Sequence, residues 1–165
     1  MDKAKNIWII NDKDELILVD KNNMKVKTFL PYASSTGNTT DQLYDLGVLE
    51  DQLYLFYRSG LLICYNLKSH QEIYRQKLPD ELPKGKYENT SYVVPGNNTF
   101  YQLRNGSQGG VMLNYDITRK KWNIVFQTDY RLNSLSIDKD SSIWISCYMG
   151  LWNIDAGLIN KQYIP

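Results

Sequence analysis

The sequence predicts an all-β fold, a partial β-propeller of about four blades made of four-stranded antiparallel sheets, and three observations predict it. An apolar residue followed by an aromatic recurs at Trp8, Tyr54, Tyr101 and Trp144, at intervals of 46, 47 and 43 residues. That period belongs to propeller blades of four short strands and not to a single-core sandwich. Each anchor opens a pair of apolar runs joined across a tight polar turn: IWIINDKDELILVD from Ile7, LYLFYRSGLLICYN from Leu53, FYQLRNGSQGGVMLNYD from Phe100 and IWISCYMGLWNID from Ile143. Asp20, Asn66, Asp116 and Asp155 then close the second run of each pair, where a short polar side chain caps a turn by accepting backbone N–H groups a few residues on.

In the first repeat, residues 7–11 align with 143–146, so they form the second strand of a blade and Met1 to Lys5 falls in the preceding turn. The innermost strand of that blade is therefore expected to be missing and the segment to be a piece of a larger propeller. In the later repeats an innermost run stands at 44–49, 92–94 and 135–137, and an outermost run at 73–78, 122–126 and 161–164, with 26–30 as its counterpart in the first repeat. Val, Ile, Leu, Tyr and Trp fill these runs, and Asp51, Gly96, Asn97 and Asp140 punctuate them, as strands bounded by turns require. Gly60, Gly110 and Gly150 open the third strand, as a backbone position needing positive φ or close approach would; the first repeat has Glu15 there. The blade repeats span about 1–31, 42–79, 90–127 and 131–165 of one propeller segment, 1–165.

The stretch LNSLSIDKDSSIWISCYMGLWNID, 132–155, resembles the two-component regulator propeller repeat: an Asn-Ser-type strand, an acidic turn, Ile-Trp-Ile, and a Gly-Leu pair ending in Asp. Residues 44–66 and 7–20 carry weaker forms, and 92–116 fits by its strand pattern alone. Ser146 and Cys147 stand where the repeat usually has Gly-Thr. The resemblance implies the periplasmic sensor region of a hybrid two-component system, as in Bacteroidetes, with the histidine kinase and the DNA-binding regulator carried elsewhere. It also implies signal transduction into a phosphorelay, an oligosaccharide ligand and the remaining blades of a longer sensor chain as partners; a homodimer stays open.

With 42% hydrophobic residues there is apolar content for a core, and 19 basic against 18 acidic side chains leave no electrostatic stripe for phosphates, so no direct nucleic-acid contact is expected. No run approaches the roughly 18 apolar residues of a membrane helix, and MDKAKNIWII has no apolar h-region of a secretory signal. No membrane contact is expected of this segment. Cys64 and Cys147 fall in non-adjacent repeats, too far apart for a disulfide, and are expected to be free and structural.

Catalytic chemistry finds little to use. His70, the single histidine, lies in the turn Lys68-Ser69-His70-Gln71, and no nucleophile-elbow sequence accompanies it. One histidine and two distant cysteines cannot supply a zinc site, and Asp138-Lys139-Asp140 lacks the glycine and distal glutamate of a calcium loop. No enzyme, cofactor or metal is expected. The Asn-x-Ser/Thr sequences at Asn38, Asn89, Asn97 and Asn105 read as ordinary loop residues.

Binding is expected on the loops joining the second and third strands and those joining one blade to the next, which emerge on one side of a propeller. The candidate ligand contacts there are Tyr32, Tyr57, Arg58, Arg104, Gln108, Tyr130, Arg131 and Tyr148, with Tyr87 nearby in sequence pattern. Aromatic faces beside guanidinium and amide groups suit sugar rings and carboxylated oligosaccharides, by stacking and bidentate bonding. Two classes remain: a non-catalytic oligosaccharide sensor, and a rigid protein-interaction platform of the WD40 or Kelch kind. Trp8, Trp122, Trp144 and Trp152 serve both as packing anchors between blades.

Overall fold

The computed structural model describes residues 6–13, 15–29, 41–79, 89–96 and 98–165; Tyr32 and Tyr87 lie outside these. Every regular element among the described residues is a β-strand, fifteen in all, arranged as four antiparallel meanders. The first sheet runs β1 (Ile7–Ile10), β2 (Leu16–Val19), β3 (Val26–Phe29). The second is β4 (Leu43–Leu49), β5 (Gln52–Tyr57), β6 (Leu62–Asn66), β7 (Glu72–Gln76); the third β8 (Asn89–Gly96), β9 (Thr99–Gly106), β10 (Gly109–Asp116), β11 (Lys121–Thr128). The fourth is β12 (Leu132–Ile137), β13 (Ile143–Cys147), β14 (Gly150–Ile154), β15 (Lys161–Ile164). This is a β-propeller architecture of about four blades, the first with three strands among the described residues.

Local chemistry builds each turn as the repeats suggest. Asp20 Oδ1 accepts the Asn22 N–H at 2.8 Å, Asn66 Oδ1 accepts Lys68 and Ser69 at 2.9 Å each, Asp116 Oδ1 accepts Arg119 at 2.9 Å and Asp155 Oδ1 accepts Ile159 at 2.8 Å. One side-chain oxygen thus closes the turn into the outermost strand of every sheet. The three four-stranded sheets share a second device. Their innermost strands shift register near the start, between Leu43 and Asp45, Thr90 and Tyr92, and Leu132 and Ser134, each a bulge that increases local twist where the blade begins.

The chain forms two compact units, residues 1–78 and 79–165. In the first, Leu53, Leu55, Ile63 and Tyr65 of the second sheet pack with Leu16 of the first, against partly buried Trp8 and Ile10. In the second, Leu103, Met112 and Phe126 of the third sheet meet Leu135, Ile143, Ile145 and Ile154 of the fourth. Period-2 alternation explains the pairing: Ile143 and Ile145 are wholly buried while Trp144 and Ser146, which alternate with them, point to the other face. Burying one such aliphatic side chain stabilises by about 1.5–3 kcal/mol, so Ile145→Ala would remove about 2–5 kcal/mol including the cavity. Cys64 and Cys147 are free thiols in separate units, and both are buried.

Candidate functional site

The loop end of the second unit gathers several of the expected ligand contacts. Its frame is the β9–β10 turn, a two-residue reversal through Ser107 and Gln108 closed by Gly109 at φ +120°. A Cβ on Gly109 would lie 2.7 Å from the Cα of Asp129 and against the Thr128 carbonyl. The turn therefore packs directly on the segment that links β11 to β12, which only glycine permits. Gly110 meets the expectation by close approach and not by a positive φ, with Tyr130 O at 3.0 Å from where a Cβ would stand.

Asn105 fixes the same segment from below. Its Nδ2 donates to Leu132 O at 2.7 Å and its Oδ1 accepts the Leu132 N–H at 2.8 Å, so one side chain completes strand-like pairing between two sheets. Asn105 is a buried strand residue, and its reading as a loop residue is corrected accordingly.

On this frame rests a chain of aromatic rings. Phe126 and Trp152 have centroids 4.7 Å apart, Trp152 and Tyr163 4.9 Å, and Tyr163 and Tyr130 6.2 Å with planes only 11° apart. The Tyr163 hydroxyl donates to Met149 O at 2.8 Å, tying the β13–β14 turn to the stack. Partial burial, and then the neighbouring Cys147 and Tyr130, push the Tyr163 phenol above the usual tyrosine range. An open cleft of about 470 Å³ is lined by Gln108 and by Gln127, Thr128 and Asp129, the residues that lead into Tyr130.

Gln108, Tyr130 and Tyr148 are thus linked through Asp129, Tyr163 and Met149, and Arg131 follows Tyr130 directly, exposed. Tyr148 is 88% exposed at the tip of its turn. Arg58 is also exposed, but in the first unit, where its N–H donates to Gln42 O at 2.8 Å beside the bond from Ser59 N to Asp41 Oδ1 at 2.9 Å. Tyr57 and Arg104 do not lie on exposed loops. Tyr57 pairs with Leu43 within the second sheet, because the turn begins only at Arg58. Arg104 is interior to β9 opposite Val111, because the reversal is confined to two residues beyond Gly106.

Tyr163 was not among the sequence candidates, although strand alternation in KQYI pairs it with Trp152 and so with the core-facing side. On the opposite end, Asn98, Thr99, Asn114, Asp116, Thr118 and Arg119 line a shallower depression, where Arg119 already pairs with Asp116 at 3.5 Å. Among the described residues no group of three or more His, Cys, Asp or Glu side chains is placed to hold a metal. The His70 N–H closes the β6–β7 turn on Asn66 O at 2.9 Å.

Comparison with known proteins supports the architecture. By sequence the chain matches no family model and no curated protein. By structure it is similar, over 100% of its length and 22% of the other chain, to the extracellular domain of BT4673 from B. thetaiotaomicron, described as a one-component system, at TM-score 0.69 and 14% identity. It is similar over 97% of its length and 54% of the other to the β-propeller domain of Cps50 (Swd1) from Myceliophteria thermophila, at TM-score 0.66 and 12% identity. BamB from Moraxella catarrhalis matches over 96% and 49%, at TM-score 0.62 and 11% identity. The chain therefore spans about a fifth to a half of these structures, and identities this low define the class of fold, a β-propeller, alone.

Proposed function

We propose that this segment is a non-catalytic ligand-sensing propeller module of a two-component signalling system, working in the periplasm and recognising an oligosaccharide. The observation that carries the reading is the Tyr130–Tyr163 stack, whose inner ring is held by Trp152 and by Met149 O while Tyr130 stays exposed between Asp129 and Arg131 in the chain, Asp129 lining a cleft with Gln108. A rigid aromatic plate flanked by amide, carboxylate and guanidinium groups is what a sugar ring needs: its C–H face stacks and its hydroxyls find fixed donors and acceptors. Nothing in that set calls for bond breaking, and a sensor needs binding without turnover. The likeness to an extracellular domain of a one-component system in a Bacteroides species favours the same setting. The kinase, its phosphorelay and the remaining blades would belong to other parts of the sensor; Arg58 would contribute from its exposed turn in the first unit, and Tyr57 and Arg104 by supporting the second and third sheets from within.

Calorimetric titration of the protein with a panel of oligosaccharides tests this. Binding that is lost in Tyr130→Ala and weakened in Arg131→Ala supports the reading, and absence of heat with every glycan overturns it. A second reading, a protein-interaction platform of the WD40 or Kelch kind, is favoured by one feature: Tyr148 and Met149 project at 88% and 54% exposure from the β13–β14 turn, as an apolar anchor for a protein partner would.

A further inference from the structure

Asn105 is the one asparagine of the chain that is followed by glycine. In such a pair the glycine backbone nitrogen can attack the asparagine Cγ, because glycine has no side chain to obstruct the approach and turns freely into it. Asparagine is a thermolabile residue for this reason.

Three features of the fold hold that reaction back. Asn105 lies inside the third sheet, paired with Asn89 of β8 on one side and Gly110 of β10 on the other. Its backbone is therefore extended and cannot bend to bring Gly106 N onto Cγ in an attacking geometry. Both polar atoms of the side chain are engaged, Nδ2 by Leu132 O at 2.7 Å and Oδ1 by Leu132 N at 2.8 Å, so the amide cannot turn toward Gly106. Asn105 is also 4% exposed, which keeps water from it.

We propose that Asn105–Gly106 is a covalent modification site guarded by the Asn105–Leu132 latch, so that opening of the joint between the third and fourth sheets is recorded there irreversibly. Once the latch opens, Gly106 N gives its proton to solvent and bonds to Asn105 Cγ; the Cγ–Nδ2 bond breaks and Nδ2 leaves as ammonia. Water then opens the cyclic imide at one of its two carbonyls, leaving aspartate or isoaspartate at position 105, with water as the only co-reactant. Neither product restores the latch. Aspartate has no donor for Leu132 O and brings a charge into a buried position. Isoaspartate adds a methylene to the backbone of β9 and displaces Gly106 from its partner Gly109. The joint that fixes the link through Asp129, Tyr130 and Arg131 then stays loosened, whatever that link binds.

Peptide mapping by mass spectrometry, with fragmentation that distinguishes aspartate from isoaspartate, tests this on the whole chain held at neutral pH, folded and in urea. Conversion at position 105 is expected to be at least about 30-fold slower in the folded chain, the factor that two buried hydrogen bonds supply. Gly106→Ala is expected to slow the conversion in urea, where folding of the variant plays no part. Chain converted in urea, returned to buffer and separated by its added negative charge should unfold at a lower urea midpoint than the native chain. Equal rates in the folded and unfolded chain, a rate in urea unchanged by Gly106→Ala, or a converted chain as stable as the native one would each overturn the inference.

Discussion

The Asn105 side chain holds both backbone polar groups of Leu132, donating to its carbonyl at 2.7 Å and accepting its N–H at 2.8 Å, with both residues buried. An amide is the one small side chain that offers a donor and an acceptor in this geometry. Asn105→Asp keeps the size and loses the donor, and Asn105→Leu loses both bonds. Because a buried polar group that loses its bond costs about 1–3 kcal/mol, Asn105→Leu is expected to lower stability by about 2–4 kcal/mol. Urea unfolding should show a reduced midpoint at unchanged slope.

Gly109 is the position where the β9–β10 turn meets the β11–β12 link. At φ +120° an L side chain is strained, and its Cβ would fall 2.7 Å from Asp129 Cα, which is backbone and cannot swing away. Gly109→Ala is therefore expected to cost about 1–3 kcal/mol and to shift Asp129 and Tyr130. Gly157→Ala is the control, since the nearest atoms to its Cβ would be 3.7 Å away. Equal melting temperatures for the two variants would contradict this account of the turn.

How much of this was legible in the sequence follows the same geometry. The blades were, because four polar residues at Asp20, Asn66, Asp116 and Asp155 close four equivalent turns and the aromatic anchors keep their period. The exposure of Gln108, Tyr130, Arg131 and Tyr148 was legible because each stands in a polar turn or link. Tyr57 and Arg104 were misplaced on the loops because turn length decides burial there, and a one- or two-residue change in where a hairpin reverses moves a side chain from tip to core. Tyr163 was missed because its part in the site comes from stacking on a residue 33 positions earlier in the chain, which no local pattern encodes.

Tyr163 also makes the site responsive to alkaline pH. Partial burial first, then Cys147 and Tyr130, raise its folded pKa, so the folded state keeps the phenol proton longer than the unfolded chain does. The linked stability is fully present below the ordinary tyrosine pKa of about 10 and is lost as pH rises through the raised folded value. Unfolding midpoints should therefore decline on that alkaline limb in the native protein and decline less in Tyr163→Phe, which keeps the ring stack. Phenolate absorbance should show one tyrosine titrating late that is absent from the variant; identical alkaline limbs would remove Tyr163 as the cause.

Tyr148 and Tyr130 separate the two functional readings because they differ in what holds them. Tyr148, at 88% exposure, stands on the tip of its turn, so Tyr148→Ala should change stability by less than about 0.5 kcal/mol. Tyr130 is braced by Tyr163, so Tyr130→Ala removes the outer plate of the stack and leaves the Trp152–Tyr163 contact in place. If the site takes a sugar, stacking of its C–H face on a fixed ring carries the affinity, and Tyr130→Ala should abolish glycan heat while Tyr148→Ala leaves it within about twofold. If it takes a protein, the projecting Tyr148 and Met149 are the anchor, and Tyr148→Ala should weaken capture of that partner about 30-fold or more with Tyr130→Ala the milder change. Parallel titrations of both variants with glycan and partner decide between the readings by the order of the two losses.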